Sequence, residues 1–423
     1  MKKIIKILLL ALIFRFVISF IIWHPDINNH IDWGIRFWQY GPQKFFAPST
    51  NVWNFTWPNQ PPGTIYIFAG IEKLFEFVFS VFWWINIKIP LFPSGIITFF
   101  ESNLYPALLK LPSILSDLGI AYIIYKLLKS HKDEKLGILG ATIFLVNPVI
   151  WYNSAVWGQT DAIVNFFSLL AFYFLLQKKL TLSLVVFALS LYIKASLLIF
   201  APIYLIVVLR QKYSVKQLIG SAVLTASVIG LLTLPFSRGE PFGWLYWLYS
   251  KKVFGEQLHI ITANAFNLWA AIAGIHERPE TLLLGPLSYA IWGKILFLFA
   301  YVPSLILVYK RQDVKSIFWS LSIAAISSFM LLTNMHERYL YPLFPVLTIL
   351  TLLDRKLLLA YLSISLINLL NLYNFWWVPK IQVLIDFMSA GNRLMPRVLG
   401  FFNFGLFLIL YRHFLRLLKV GRI

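Results

Sequence analysis

The stretch LLTNMHERYLYPLFP (Leu331–Pro345) sets a His, a Glu and an Arg in a row between two apolar runs. Arginine binds phosphate through a planar fork of donors, and a helix start adds free N–H groups and the positive end of a dipole. The spacing predicts a helix capped by Asn334, with Glu337 three residues on, as in a capping box. Glu337 then has a structural role. His336 and Arg338 are left at a helix start to face an anion, and a lipid phosphate fits that depth. The other reading is a surface-anchoring Arg beside a structural His.

A second group lies near the start, in WHPDINNHIDWGIRFW (Trp23–Trp38). Pro25 suits the first position of a helix, which puts Asp26 in the first turn, where the dipole favours a carboxylate. At helical spacing Asp26, His30, Trp33 and Phe37 share one face. Asp32 and Arg36, four apart, can pair with each other. Asp26 is therefore the acid free for work, unless it only stabilises the helix start.

Other segments offer weaker candidates. In FTWPNQPPGTIYIF, Trp57 and Tyr66 flank a rigid Pro-rich turn, where aromatic rings sit at headgroup level or floor a sugar. In VWGQTDAIVNF, Trp157 and Gln159 are candidates for the membrane interface. Asp161 there is placed in the first turn of the next helix. Lys194, in LSLYIKASLLIF, either snorkels to the surface or faces an anion inside the protein. Asn264 and Asn267, in TANAFNLWA, can cap helices or hydrogen-bond a sugar.

The elements that must position these residues are membrane spans. The 423 residues are 59% hydrophobic and 13% charged, against about 25% charged in soluble chains. Lys2, Lys3 and Lys6 precede an apolar run with no A-x-A-like cleavage site, which reads as an uncleaved first span. Further spans are expected near 104–128, 137–156, 161–176, 180–193, 196–209, 217–236, 287–309, 316–334, 339–353, 357–374 and 398–415. That makes an all-α polytopic membrane protein, 1–423, of about twelve transmembrane helices. Residues 24–103 carry too many charges for a span, with Glu72, Lys73 and Glu76 in mid-segment, and read as amphipathic helices on the outer surface. Two more outer loops are expected at about 237–286 and 374–397.

The charge agrees with this orientation. The segments assigned to the cytoplasm hold 21 of the 37 Lys and Arg but four of the 17 acids. The net charge of +20 thus records the positive-inside rule and does not call for nucleic acid. There are no cysteines, so disulfides, thiolate metal sites and Cys nucleophiles are ruled out. Asp26 and Asp32 are six apart and form no D-x-D, so no metal site is expected.

Together HPDINNHIDW, PNQPPGTIYIF, KLPSILSDLGIAYIIYKLLK, WGQTDA, TANAFNLWA and NMHERYLYPLFP resemble motifs of the GT-C superfamily of polytopic glycosyltransferases. The likeness is to bacterial and archaeal proteins similar to the second mannosyltransferase of GPI-anchor synthesis. Gln60 stands before the Pro-Pro element where that group usually has an aromatic residue. The resemblance implies a polyprenyl-phosphate sugar as donor, with no nucleotide sugar and no resident cofactor. It leaves room for a divalent metal without requiring one. It implies transfer of a hexose, mannose first, to a lipid-linked glycan or similar acceptor on the exoplasmic face of the cell membrane, with inversion. Asp26 takes the place of the general base, and His336 and Arg338 lie by the donor phosphate.

The rival readings are a protein O-mannosyltransferase-like enzyme and a lipid-linked saccharide flippase or transporter. Transporters place their polar sites near the bilayer midplane, often in repeated halves. Here the polar motifs lie at span ends, and no repeat is evident.

The charge pattern predicts residues 24–103 outside and both termini in the cytoplasm. Single cysteines at Ser49 and Ser130 test it in intact cells with an impermeant maleimide. Position 49 should label and position 130 should not; labelling of 130 alone reverses the orientation.

Overall fold

The structure is a computed structural model that describes residues 2–50 and 52–420. It is all-α apart from a two-residue antiparallel pair, Leu283–Leu284 with Leu287–Ser288. Among the described residues seven helices are long and apolar enough to cross a bilayer. They are Lys2–Ile21, Gly95–His131, Val215–Ser237, Tyr289–Lys310, Val314–Leu331, Arg355–Tyr373 and Gln382–Leu418. Glu134–Val146 and Pro148–Trp157, bent by 52° at their junction, make an eighth if taken as one span. Four shorter apolar helices complete the set: Asp161–Leu176, Leu180–Ile193, Ala195–Arg210 and Leu343–Leu353. The twelve expected segments coincide with these elements. The four short ones fall below the roughly 20 residues that a lone span needs.

Local sequence explains the breaks. Pro148 has no N–H to give and clashes with the preceding turn. Asn147 caps the new start by accepting from the Val149 N–H. Ser214 and Gln217 form a reciprocal capping box at the head of Val215–Ser237, and Asp313 caps Val314–Leu331.

Burial sorts the helices into layers. Val314–Leu331 is 89% buried and runs through the centre, whereas Lys2–Ile21 and Val215–Ser237 are only 17% buried. The outer two expose many large apolar side chains, Leu9, Leu10, Ile13, Ile219, Val223 and Leu231 among them, so their outer faces suit lipid.

The structure corrects three expectations. No helix begins at Asn334: that residue has φ +59, residues 335–342 are a bridge and turns, and the next helix starts at Leu343. The helix Gly95–His131 starts well before the expected 104, and a 27-residue helix, Pro62–Lys88, precedes it. Asp26 stands just ahead of the helix Ile27–Tyr40 and makes no side-chain cap bond to it. On that helix His30, Trp33, Gly34 and Phe37 are buried.

Close packing at Gly34 seats this helix. A Cβ there would lie 2.4 Å from the Tyr105 hydroxyl and 3.0 Å from the Phe68 carbonyl oxygen. Overpacking of this kind costs about 1–3 kcal/mol. Gly70, on the neighbouring helix, has open space around it, and Ala in a helix interior gains about 0.5–1 kcal/mol over Gly. Gly34→Ala should therefore lower the midpoint of thermal unfolding in detergent, and Gly70→Ala should hold or raise it.

Candidate active site

Asp26 meets side chains from a distant part of the chain, and their rings in turn meet others. Its Oδ2 accepts from Gln159 Nε2 at 2.7 Å and from Trp157 Nε1 at 3.1 Å. Among the described residues Oδ1 has no hydrogen-bond donor, and the side chain keeps 21% of its exposure. Its own backbone N–H donates to His24 Nδ1 at 3.1 Å, so that nitrogen carries no proton. Burial drives the His24 pKa down to about 3, and the ring is neutral. His24 stacks on Trp157 at 4.1 Å and meets the edge of Trp376 at 4.3 Å.

A π-turn delivers the two donors. Residues Tyr152–Trp157 form a wide π-helical turn ended by Gly158 in the left-handed region at φ +78. A Cβ on Gly158 would fall 2.7 Å from Ile27 Cδ1 and 2.9 Å from Lys110 Cγ. Glycine is thus required both for the backbone conformation and for the close approach. Trp157 and Gln159 are buried, not interfacial, and both turn inward onto the carboxylate.

Arg338 lies over the same Trp157 ring. Its guanidinium carbon sits 5.6 Å from the Trp157 centroid and 5.6 Å from that of Tyr339. Its Nη1 donates to Glu337 Oε1 at 2.8 Å, while its buried Nε has no partner among the described residues. Burial raises the Glu337 pKa against the pull of Arg338. Burial also favours the neutral form of Arg338, but Glu337, Tyr339 and Asp26 more than offset it and raise its pKa. His336 is neutral, its pKa lowered first by burial and then by Arg338. The segment is held as backbone bridges between His336 and both Ala263 and Asn264.

Lys194 completes the polar end. Its Nζ donates to Asp161 Oδ1 at 2.7 Å and lies 5.5 Å from the Tyr339 ring centre. Lys194 therefore faces an anion inside the protein, and that anion is Asp161. His30 is buried, stacks on Phe68 at 4.2 Å, and has its pKa lowered to about 4 by burial. Around Asp26, burial works against the charged form. Arg338, His24 and the Trp157 N–H outweigh it and hold the carboxyl below its ordinary value.

The remaining sequence candidates lie outside this cluster or are engaged in building it. Trp33 donates to the Thr56 carbonyl at 2.8 Å, and Tyr66 to that of Leu232 at 2.9 Å. Trp57 lies under Lys252 Nζ at 4.6 Å. Asn264, at φ +67, exchanges hydrogen bonds with Asn374 and accepts at its carbonyl from Asn371. Asn267 caps Leu268–Ala273 and donates to the Phe329 carbonyl. Asp32 accepts from Arg36 Nε at 2.7 Å and from Asn54, the pairing expected from its spacing. No group of three or more His, Cys, Asp or Glu that could hold a metal ion occurs among the described residues.

Trp157, expected at the membrane interface, and His24 and Trp376, absent from the sequence candidates, carry the site. His24 lies two residues before the candidate Asp26, which is the signal that was available. Trp376 is 350 residues from Asp26 and gave none.

An apolar cavity of about 620 Å³ opens among the helices, and Ile193, the neighbour of Lys194 in sequence, is in its wall. Ile163, Phe166, Phe167, Ile193, Tyr66 and Leu232 are among its lining residues.

Residues 159–255 match the family model described as ALG3 protein. That family comprises membrane mannosyltransferases of the GT-C type, and the match supports a membrane glycosyltransferase. The matched stretch includes Gln159, Asp161 and Lys194. It does not single out the group similar to the second GPI mannosyltransferase. No curated protein matches the chain.

The buried Lys194–Asp161 pair makes a testable statement about stability. Removing one partner strands a charge and costs about 3–5 kcal/mol, whereas apolar replacement of both is often near neutral. Lys194→Met should lower the unfolding midpoint sharply, and Lys194→Met with Asp161→Leu should recover most of the loss. A double variant as unstable as the sum of its singles would show that the two residues do not act as a pair.

Proposed function

We propose that this protein transfers a hexosyl unit, mannosyl foremost, from a polyprenyl-phosphate sugar to a lipid-linked glycan or similar acceptor. The reading places the reaction on the exoplasmic face of the cell membrane. One observation carries it: a single buried indole, Trp157, holds a carboxylate at its N–H and a guanidinium over its face. Sugar transfer from a lipid phosphate needs those two groups close together and held apart from direct neutralisation.

The chemistry follows from their roles. A sugar hydroxyl is too weak an acid to attack unaided and needs a base. Asp26 Oδ1 is open to take that proton as the acceptor oxygen bonds to the anomeric carbon. The bond from that carbon to the phosphate oxygen breaks, and the phosphate leaves with the electron pair. Its growing charge is met by Arg338, whose Nε has no partner among the described residues, with Lys194 nearby. Preorganised donors aimed at developing charge are a large source of catalysis. Attack from the face opposite the leaving group inverts the anomeric centre. The apolar cavity walled in part by Ile193 suits the isoprenoid tail of the donor.

A polypeptide acceptor uses the same site and is the second reading, distinguished by where the label goes. Purified protein in lipid, given radiolabelled polyprenyl-phosphate mannose and glucose, should move one label to a lipid-linked acceptor. Label in protein would favour the second reading, and transport without transfer would favour a flippase.

The residues make separate predictions. Asp26→Asn should lower single-turnover transfer by about 10²- to 10⁴-fold and leave donor binding intact, while Asp32→Asn should lose far less. Arg338→Ala should weaken donor binding by roughly tenfold to over a hundredfold, the worth of a charge-assisted bond. Arg338→Lys should recover only part of it, for want of the planar fork. Because the Asp26 pKa is held below its ordinary value, the base stays ionised through neutral pH. Transfer should fall only on the acid side, below the usual carboxylate range. Near-wild-type turnover by Asp26→Asn would move the base elsewhere.

A further inference from the structure

A second carboxylate, outside the site, touches both segments that build it. Asp117 lies in the helix Gly95–His131 and is fully buried. Its Oδ1 accepts from the Tyr341 hydroxyl at 2.6 Å. Its Oδ2 accepts from the Ser154 hydroxyl at 2.5 Å and from Arg15 Nε at 3.4 Å. Arg15 is itself buried, and its Nη2 donates to the Leu145 carbonyl at 2.7 Å.

The sequence positions of the two hydroxyls give this its meaning. Ser154 is in the π-turn, three residues before Trp157 and five before Gln159. Tyr341 is three residues after Arg338 and is buried. Charge balance alone would need only Arg15. Instead each carboxylate oxygen takes a hydroxyl from a different arm of the site. The arms lack a continuous helix to register them: one is a π-turn ended by a left-handed glycine, the other a run of turns.

We infer that Asp117 is a positioning residue, a clasp that sets the Trp157–Gln159 arm against the Arg338 arm. It touches neither substrate nor reacting atoms. It acts by fixing the separation of base and cation, where small displacements are costly to rate. The kinetic part of this inference rests on the proposed glycosyl transfer; the clasp itself does not.

The test uses the full chain in lipid nanodiscs, with hydrogen exchange and steady-state kinetics on the same samples. Tyr341→Phe cuts one side. It should speed exchange in residues 335–342 and raise the donor KM by about two- to tenfold, the worth of one hydrogen bond, with kcat little changed. Ser154→Ala cuts the other side. It should speed exchange in 152–159 and lower kcat by a similar factor with KM little changed. Losing the fixed Trp157 donor should also raise the Asp26 pKa, moving the acid limb of the rate profile to higher pH; His24, His30 and Arg338 still face that group.

Asp117→Asn should loosen both arms. Thr348→Val removes a buried hydroxyl that bonds to Phe344 and Tyr361. It should alter stability without the KM and kcat split. The single-hydroxyl variants keep the test sound if Asp117→Asn fails to fold. Unchanged exchange in both folded single variants would overturn the clasp. Faster exchange with unaltered KM, kcat and pH profile would reduce Asp117 to a structural residue. If the unaltered protein transfers no sugar yet the exchange pattern appears, the glycosyl-transfer reading fails and the clasp stands.

Discussion

The hydrogen bond from Trp157 to Asp26 is the interaction on which the rest of the site depends. It holds the carboxylate by one oxygen and leaves the other open. The same indole stacks on His24 and carries Arg338 over its face. An indole offers one donor and two apolar faces. It can therefore bring an anion and a cation near each other without letting them close into a pair. Direct contact would have neutralised both groups.

Low dielectric explains the neighbours. A charge buried without a partner is costly, and the polar end holds several. Lys194 is paired with Asp161, and Arg338 bonds Glu337 on one edge. The histidines, His24, His30 and His336, are neutral because burial disfavours their charged forms. The site thus keeps its charges on a few groups whose partners are visible, with the buried guanidinium Nε uncommitted among the described residues.

The same constraint governs the backbone. Irregular chain that is buried must have its N–H and C=O groups satisfied by protein. Here asparagines do much of that. Asn371 accepts from the Phe266 N–H and donates to the Asn264 carbonyl, Asn368 donates to the Glu337 carbonyl, and Asn403 to that of Phe266. The helices that end at the site are short or bent because the chain must leave helical form to bring the side chains in.

Some of this was legible in the residues alone. Apolar run length is a local, additive property, and it determined the all-α membrane class and the segments that form it. The i, i+4 spacing determined the Asp32–Arg36 pair, which left Asp26 as the acid without a local partner. Tertiary structure decided what Asp26 meets instead, since Trp157 and Gln159 arrive from more than 130 residues away. It also decided that the His336–Arg338 segment is a bridged turn: the spacing of Asn334 and Glu337 suited a capping box, but backbone bonding to residues 260–264 won. A cap is worth about 1 kcal/mol, and local preference of that size yields to a network of buried hydrogen bonds between distant parts of the chain.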